Sequence, residues 1–257
     1  MINNLQTLVL ERRSDVLLVF LNRPKCLNAV NATMRTELST VLSTVNGDKS
    51  IRAVVLTGKG DRAFSAGQDL EEAASFDRRN AKVWMEQTRL AFSAIRNLDK
   101  PCVAAVNGIA AGAGLQLALL CDLRVGDART RMSQPEIKAG LGSILGSYLL
   151  TLYLGLARSM DLSLTARFVE SEECLQIGLL NRITDANTLT DAAIKMAEEL
   201  ALQPPGAFRL TKRRYRQETQ EGFENVFSAA TECVREAYDT GEPQTVMSNF
   251  IARRGKE

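Results

Sequence analysis

The chain has 257 residues, 45% of them apolar, enough for one large buried core. A net charge of +2 is too small for a nucleic-acid footprint, and no run of about 18 uninterrupted apolar residues offers a membrane span. Histidine is absent, which excludes Ser/His/Asp and Cys/His catalysis, His-ligated zinc and imidazole acid/base work, and leaves carboxylates, Lys, Tyr, Cys and backbone dipoles. In chain order, residues 5–12 and 16–21 are β-rich runs around Arg13-Ser14-Asp15 and predict a hairpin. Pro24 marks residues 22–29 as a loop. Asn31 can cap a helix whose apolar positions Met34, Leu38, Val41, Leu42 and Val45 keep the helical period until Asn46 and Gly47. Residues 53–57 predict a buried strand followed by a loop over 58–70, and the charged stretch 71–80 predicts a mobile surface connection. A helix is expected over residues 81–98, a strand over 103–106 and an apolar helix from about Ala113 to Leu120. This alternation argues for an α/β fold of βαβ units with parallel strands.

Beyond Asp127 the pattern turns helical. Helices are expected over residues 145–154, from a Ser171 cap with Glu172 and Glu173 in the first turn, over 190–202 as far as Pro204-Pro205-Gly206, and over 218–238; residues 180–184 predict one short strand. The five cysteines, Cys26, Cys102, Cys121, Cys174 and Cys233, are odd in number and contain no CxxC pair, so they read as reduced core residues and no metal site is expected. The N-terminal MINNLQTLVLERR has neither a signal nor a transit pattern, which places the protein in the cytoplasm.

Residues 101–122, PCVAAVNGIAAGAGLQLALLCD, carry the strongest functional signal. A strand feeding a glycine-rich helix start leaves backbone N–H groups unpaired at the positive end of the helix dipole, where an oxygen gaining negative charge is stabilised. Gly112 and Gly114 keep the approach free of side chains; close helix–strand packing is the competing reading. The dinucleotide fingerprint fails, because Gly108, Gly112 and Gly114 have the wrong spacing and Leu117 stands where its last small residue belongs. The loop Arg62 to Leu70 also leaves a strand with small residues. Two such turns from neighbouring parallel strands can direct two N–H groups at one oxygen, which is an oxyanion hole.

Four blocks, Asn22-Arg23-Pro24 with Leu27-Asn28-Ala29, Ala63 to Leu70, Lys100 to Asp122, and Ser133-Gln134-Pro135-Glu136, resemble the enoyl-CoA hydratase/isomerase (crotonase) family in order and spacing. The resemblance implies a crotonase-like ββα spiral core over residues 1–190 and a C-terminal helical trimerisation region over 191–257. It also implies an acyl-CoA thioester substrate, no cofactor besides the coenzyme A of that substrate, and a homotrimer or dimer of trimers. By position, the oxyanion donors would be the N–H groups of Ala66 and Ala113. Gly67, Gln68, Asp69, Leu70 and Gly112 would line the CoA path. Lys25 and the Lys212 to Arg216 cluster are candidates for its phosphates, with a solvated helix face as the alternative for the cluster.

Glu136 falls on one of the family's two catalytic carboxylates, and Gln116 stands at the other. Glutamine can orient a water but cannot trade a proton at neutral pH, so Glu136 would carry all proton transfer. Isomerisation of an enoyl-CoA double bond needs only one base and is slightly favoured. Hydration of a 2-enoyl-CoA is the alternative, with Asp69, Glu71 or Glu72 as a second acid if the mobile stretch folds inward. A non-catalytic acyl-CoA binder is a further one. Two other departures are Ile144 and Leu145, which add bulk after the catalytic glutamate, and Thr245-Val246 near the basic Arg253-Arg254, which weakens the expected adenine-side contacts.

Overall fold

The computed structural model describes residues 4–254. β1 (Leu8–Arg13) and β2 (Val16–Leu21) form the expected antiparallel hairpin. The Asn31 side chain accepts a hydrogen bond from Met34 N and caps α1 (Ala32–Gly47). Three turns follow, each running strand, strand, helix. The first holds β3 (Ala53–Gly58), β4 (Ala63–Ser65), α2 (Leu70–Ala74) and α3 (Ala81–Arg96); the second holds β5 (Cys102–Val106), β6 (Ile109–Ala111) and α4 (Ala113–Leu120). The third holds β7 (Leu123–Asp127), β8 (Arg131–Ser133), a 3-10 turn (Glu136–Ala139) and α5 (Ile144–Leu154). Then come α6 (Leu156–Thr165), β9 (Val169–Glu170), α7 (Ser171–Ile177), β10 (Arg182–Thr184), α8 (Leu189–Ala201), α9 (Pro205–Thr240) and α10 (Glu242–Arg254).

The first strand of each turn joins a six-stranded sheet ordered β1-β2-β3-β5-β7-β10, parallel from β2 onward; the second joins a four-stranded sheet ordered β4-β6-β8-β9. This is the expected ββα spiral with helices after it. The six-stranded sheet is covered on both faces, which is why its inner strands are apolar runs rather than alternating patterns. Val54, Leu56, Ala104 and Val106 pack with α1 and α3, whereas Val16, Leu18, Val55, Val103 and Val125 pack with Leu189, Ala193, Met196 and Ala197 of α8. A division at residue 190 therefore runs through the start of a helix that seals this sheet.

Several local expectations need correction. Residues 71–80 are not a free connection throughout: Asp69 accepts from Glu71 N and Glu72 N and caps α2. Ser171 is the first residue of α7 and Glu170 precedes it, with no side-chain cap. The last long helix begins at Pro205, since proline in a first turn forfeits an N–H that has no intrahelical partner anyway. The strand at residues 103–106 does not run straight into α4; β6 intervenes, and it belongs to the other sheet. β4, β6, β8 and β9 have two or three residues each, too few for any periodicity to register. Cys102, Cys121 and Cys174 are buried, Cys26 and Cys233 half-buried, and all five are free. Among the described residues no helix is long and apolar enough to cross a membrane.

Candidate active site

β4 and β6 pair in parallel, so the backbone leaving each strand arrives at one place. After β4 comes Ala66 to Gln68; after β6 come Gly112 and Ala113, where α4 starts. The hydrogen bonds of the first segment decide which N–H is available. Ala66 N donates to the Leu27 carbonyl at 2.9 Å, Gly67 N to Ser65 Oγ at 3.2 Å and Asp69 N to the Val30 carbonyl at 3.1 Å. Val30 N in turn donates to the Gly67 carbonyl at 2.7 Å. Val30 thus bonds on either side of Gln68 in a parallel bridge, and the pleat turns the Gln68 N–H the other way. The expected Ala66 donor is already engaged, and the available N–H in this loop belongs to Gln68. Ala113 is the first residue of α4, where an N–H has no intrahelical partner.

Two glycines bring these segments together. Gly67 has φ +98°, and a Cβ there would stand 2.6 Å from the Ala111 carbonyl oxygen and 3.4 Å from Ala113 N. Gly112 has φ +50°, and a Cβ there would stand 3.2 Å from Glu136 Oε1. Gly114 has a different role from the one expected. A Cβ there would meet the Ser65 carbonyl oxygen at 2.3 Å, so this glycine lets α4 lie against β4.

Glu136 opens the 3-10 turn after β8, with its carboxylate over Gly112. Gln116, one turn into α4 and 4% exposed, donates from Nε2 to Glu136 Oε1 at 2.8 Å. Glu136 Oε2 is out of solvent and has no hydrogen-bond partner among the described residues. Burial pushes the carboxyl up to about 7, against the smaller opposing effect of hydrogen bonds to the charged form. Gln68, Ala113, Gln116 and Glu136 all line one cavity, which continues between Trp84, Phe92, Ile144, Leu145 and Val234. Ile144 and Leu145 add their bulk to the wall of this cavity.

The other expected residues fall elsewhere. Asp69 ion-pairs with Arg23 at 2.6 Å as it caps α2, and Leu70 is the first residue of α2. Glu71 is exposed, and Glu72 is held by Arg35, Gln68 and Ala32 N, so neither Asp69 nor Glu72 is free to swing in as a second acid. Lys25 is exposed on the 3-10 turn Pro24–Cys26. Lys212 bonds Asp122 at 2.9 Å, Arg216 bonds Asp99 at 3.3 Å and Arg214 pairs with Glu218. Lys212 and Arg216 thereby dock α9 onto the core rather than reach for phosphates. Near the C-terminus the Thr245 hydroxyl donates to the Gly241 carbonyl four residues back in its own helix, and the side chain of Arg254 lies outside the described residues. Arg35 was not expected at the site; it sits among the apolar positions of α1, and a lone Arg in an apolar helical pattern gives no signal of its partners.

The enoyl-CoA hydratase/isomerase family model matches residues 11–257. This chain belongs to that family. The names of the family and of its hydratase relatives mark it as one of enzymes that include hydro-lyases and isomerases, and the fold is the crotonase fold. The chain is 30% identical over 251 residues to a short-chain-enoyl-CoA hydratase of Clostridium acetobutylicum, covering 97% of this chain and 96% of the relative. It is 29% identical over 249 residues to a carboxymethylproline synthase of Pectobacterium carotovorum, covering 96% and 100%. An enoyl-CoA hydratase/isomerase structure from Mycobacterium paratuberculosis superposes with a TM-score of 0.87 at 25% identity, covering 95% of this chain and 98% of the other.

Proposed function

We propose that this enzyme binds an enoyl-CoA thioester, holds the thioester oxygen on the N–H groups of Gln68 and Ala113, and moves the double bond with Glu136 as its only proton carrier. The observation that carries the reading is the Gln116–Glu136 hydrogen bond: the second carboxylate position holds an amide, and that amide is turned to donate. Ionised Glu136 takes a proton from the carbon alpha to the thioester of a 3-enoyl-CoA. The electron pair flows into the carbonyl, whose oxygen becomes negative against the two N–H donors. The now neutral Glu136 returns the proton at the gamma carbon, and a conjugated 2-enoyl-CoA results. No proton is gained or lost overall, so one carboxyl suffices. Each donor of such a hole is worth about 3 to 4 kcal/mol in the transition state. A group titrating near 7 is suited to both halves of the cycle.

Hydration of a 2-enoyl-CoA is a second reading, supported by relatives named as hydratases. It would use the same hole, with Gln116 orienting a water and Glu136 both taking and returning the proton. The two readings separate in one assay. Purified protein is mixed with 3-enoyl-CoA in one cuvette and 2-enoyl-CoA in another while absorbance of the conjugated thioester is followed. Absorbance rising in the first cuvette supports isomerisation. Absorbance falling in the second, with no change in the first, overturns it in favour of hydration.

A further inference from the structure

We infer that Arg35 is a positioning residue that locks the Gln68 peptide with its N–H aimed into the cavity, an inference that rests on the oxyanion role proposed for that N–H. Arg35 lies on α1, one element away from the reacting groups, and is 2% exposed. Its guanidinium fork reaches three side chains. Nη1 donates to Gln68 Oε1 at 3.0 Å, while Nη2 donates to Glu72 Oε2 at 3.1 Å and to Gln87 Oε1 at 3.2 Å. Gln68 closes the ring by donating from Nε2 to Glu72 Oε2 at 2.8 Å. Both ends of the Gln68 amide are therefore spoken for, and the Val30 bridge holds the backbone on either side of it.

The charge balance argues for this role over a direct one. Arg35 lines the cavity, which invites the reading that it receives a carboxylate at the far end of an acyl chain. Its charge is already matched by Glu72, itself fixed by Ala32 N at 2.8 Å, and breaking that pair would leave the buried guanidinium without its half-buried counter-charge. A turn of the Gln68 peptide away from the cavity would break the Val30 N–H bond to the Gly67 carbonyl and drag the Gln68 side chain out of the ring, so the bridge and the ring together hold the peptide in place. Lysine cannot reproduce it, because a single ammonium lacks the planar fork that spans Gln68, Glu72 and Gln87.

The test uses the full chain with Arg35→Lys, Arg35→Met and Gln68→Met, the last of which keeps the backbone N–H and removes only the amide that Arg35 grips. Cinnamoyl-CoA is the probe, since its absorption moves to the red when the thioester carbonyl is polarised by hydrogen-bond donors. Wild type is expected to shift the band. All three variants are expected to bind the probe within about threefold of wild type, to lose most of the shift, and to lose about tenfold in kcat with KM little changed, as for a donor displaced rather than deleted. If the Arg35 variants fail to fold, Gln68→Met alone decides. A full red shift with wild-type kcat in a folded variant overturns the inference and leaves the oxyanion reading standing. A wild type that binds the probe without a shift overturns the oxyanion reading and this inference with it.

Discussion

The Gln116 amide donates to Glu136 Oε1 across 2.8 Å, and among the described residues Oε2 has no hydrogen-bond partner. The bond favours the ionised form, but burial outweighs it and holds the group near 7. Only the ionised form can take a proton. We therefore expect kcat/KM for 3-enoyl-CoA to rise tenfold per pH unit below about 7 and to level off above it. A rate flat from pH 5 to 9 would show that Glu136 does not titrate in the reaction.

Glu136→Gln should lower kcat by on the order of 10²- to 10⁴-fold. It should also change stability, with a definite sign. A carboxyl held above its unfolded value contributes stability that is fully present below about pH 4.3 and is lost as pH rises to about 7. The uncharged amide has no such loss. Thermal melts should therefore show Glu136→Gln gaining on wild type as pH is raised from 4 to 8, and a constant difference would contradict the burial of this charge.

Gln116→Glu places two carboxyls within hydrogen-bond reach. Like charges at that separation cannot both ionise near neutrality, so the pair should share a proton and titrate in two coupled steps. The pH profile should turn from a single rise into a bell, and 2-enoyl-CoA hydration should increase relative to isomerisation. An unchanged product ratio would mean that residue 116 does not choose the reaction.

Ala113→Pro deletes one donor at a position where proline is tolerated, the first residue of a helix. The protein should fold and lose about 10²- to 10³-fold in kcat. Near wild-type turnover in the folded variant would remove Ala113 from the hole.

Leu156, Met160 and Leu164 recur at four-residue spacing along α6 and are 66%, 51% and 62% exposed. One apolar stripe of this kind is expected to be covered when three or six copies assemble. Sedimentation should return a mass three or six times that of the chain, lowered by Met160→Glu. A monomer at micromolar concentration would rule out the assembly implied by the family resemblance.

The long elements were legible in the sequence because each repeats its pattern over several turns. Asn31 and the apolar positions of α1 gave that helix from cap to stop, and strands buried on both faces read as the apolar runs 53–57 and 103–106. Glu136, Gln116 and Ala113 were legible through motif order, as were the missing histidine and the missing second carboxylate that restrict the chemistry. What sequence could not reach was any feature set by a distant partner. Ala66 and Gln68 are equally placed to donate until Leu27, far upstream in the chain, is seen to occupy the first and the Val30 bridge to turn the second away from itself. Lys212 and Arg216 look like phosphate ligands until Asp122 and Asp99 are found beside them. Residue types and spacing determined the family, the turn order and the presence of one carboxyl and one amide at the two family positions, Glu136 and Gln116. Tertiary structure alone decided which N–H groups and charges are left unspent, because a hydrogen bond or ion pair formed across the fold consumes a donor that local sequence still displays as free.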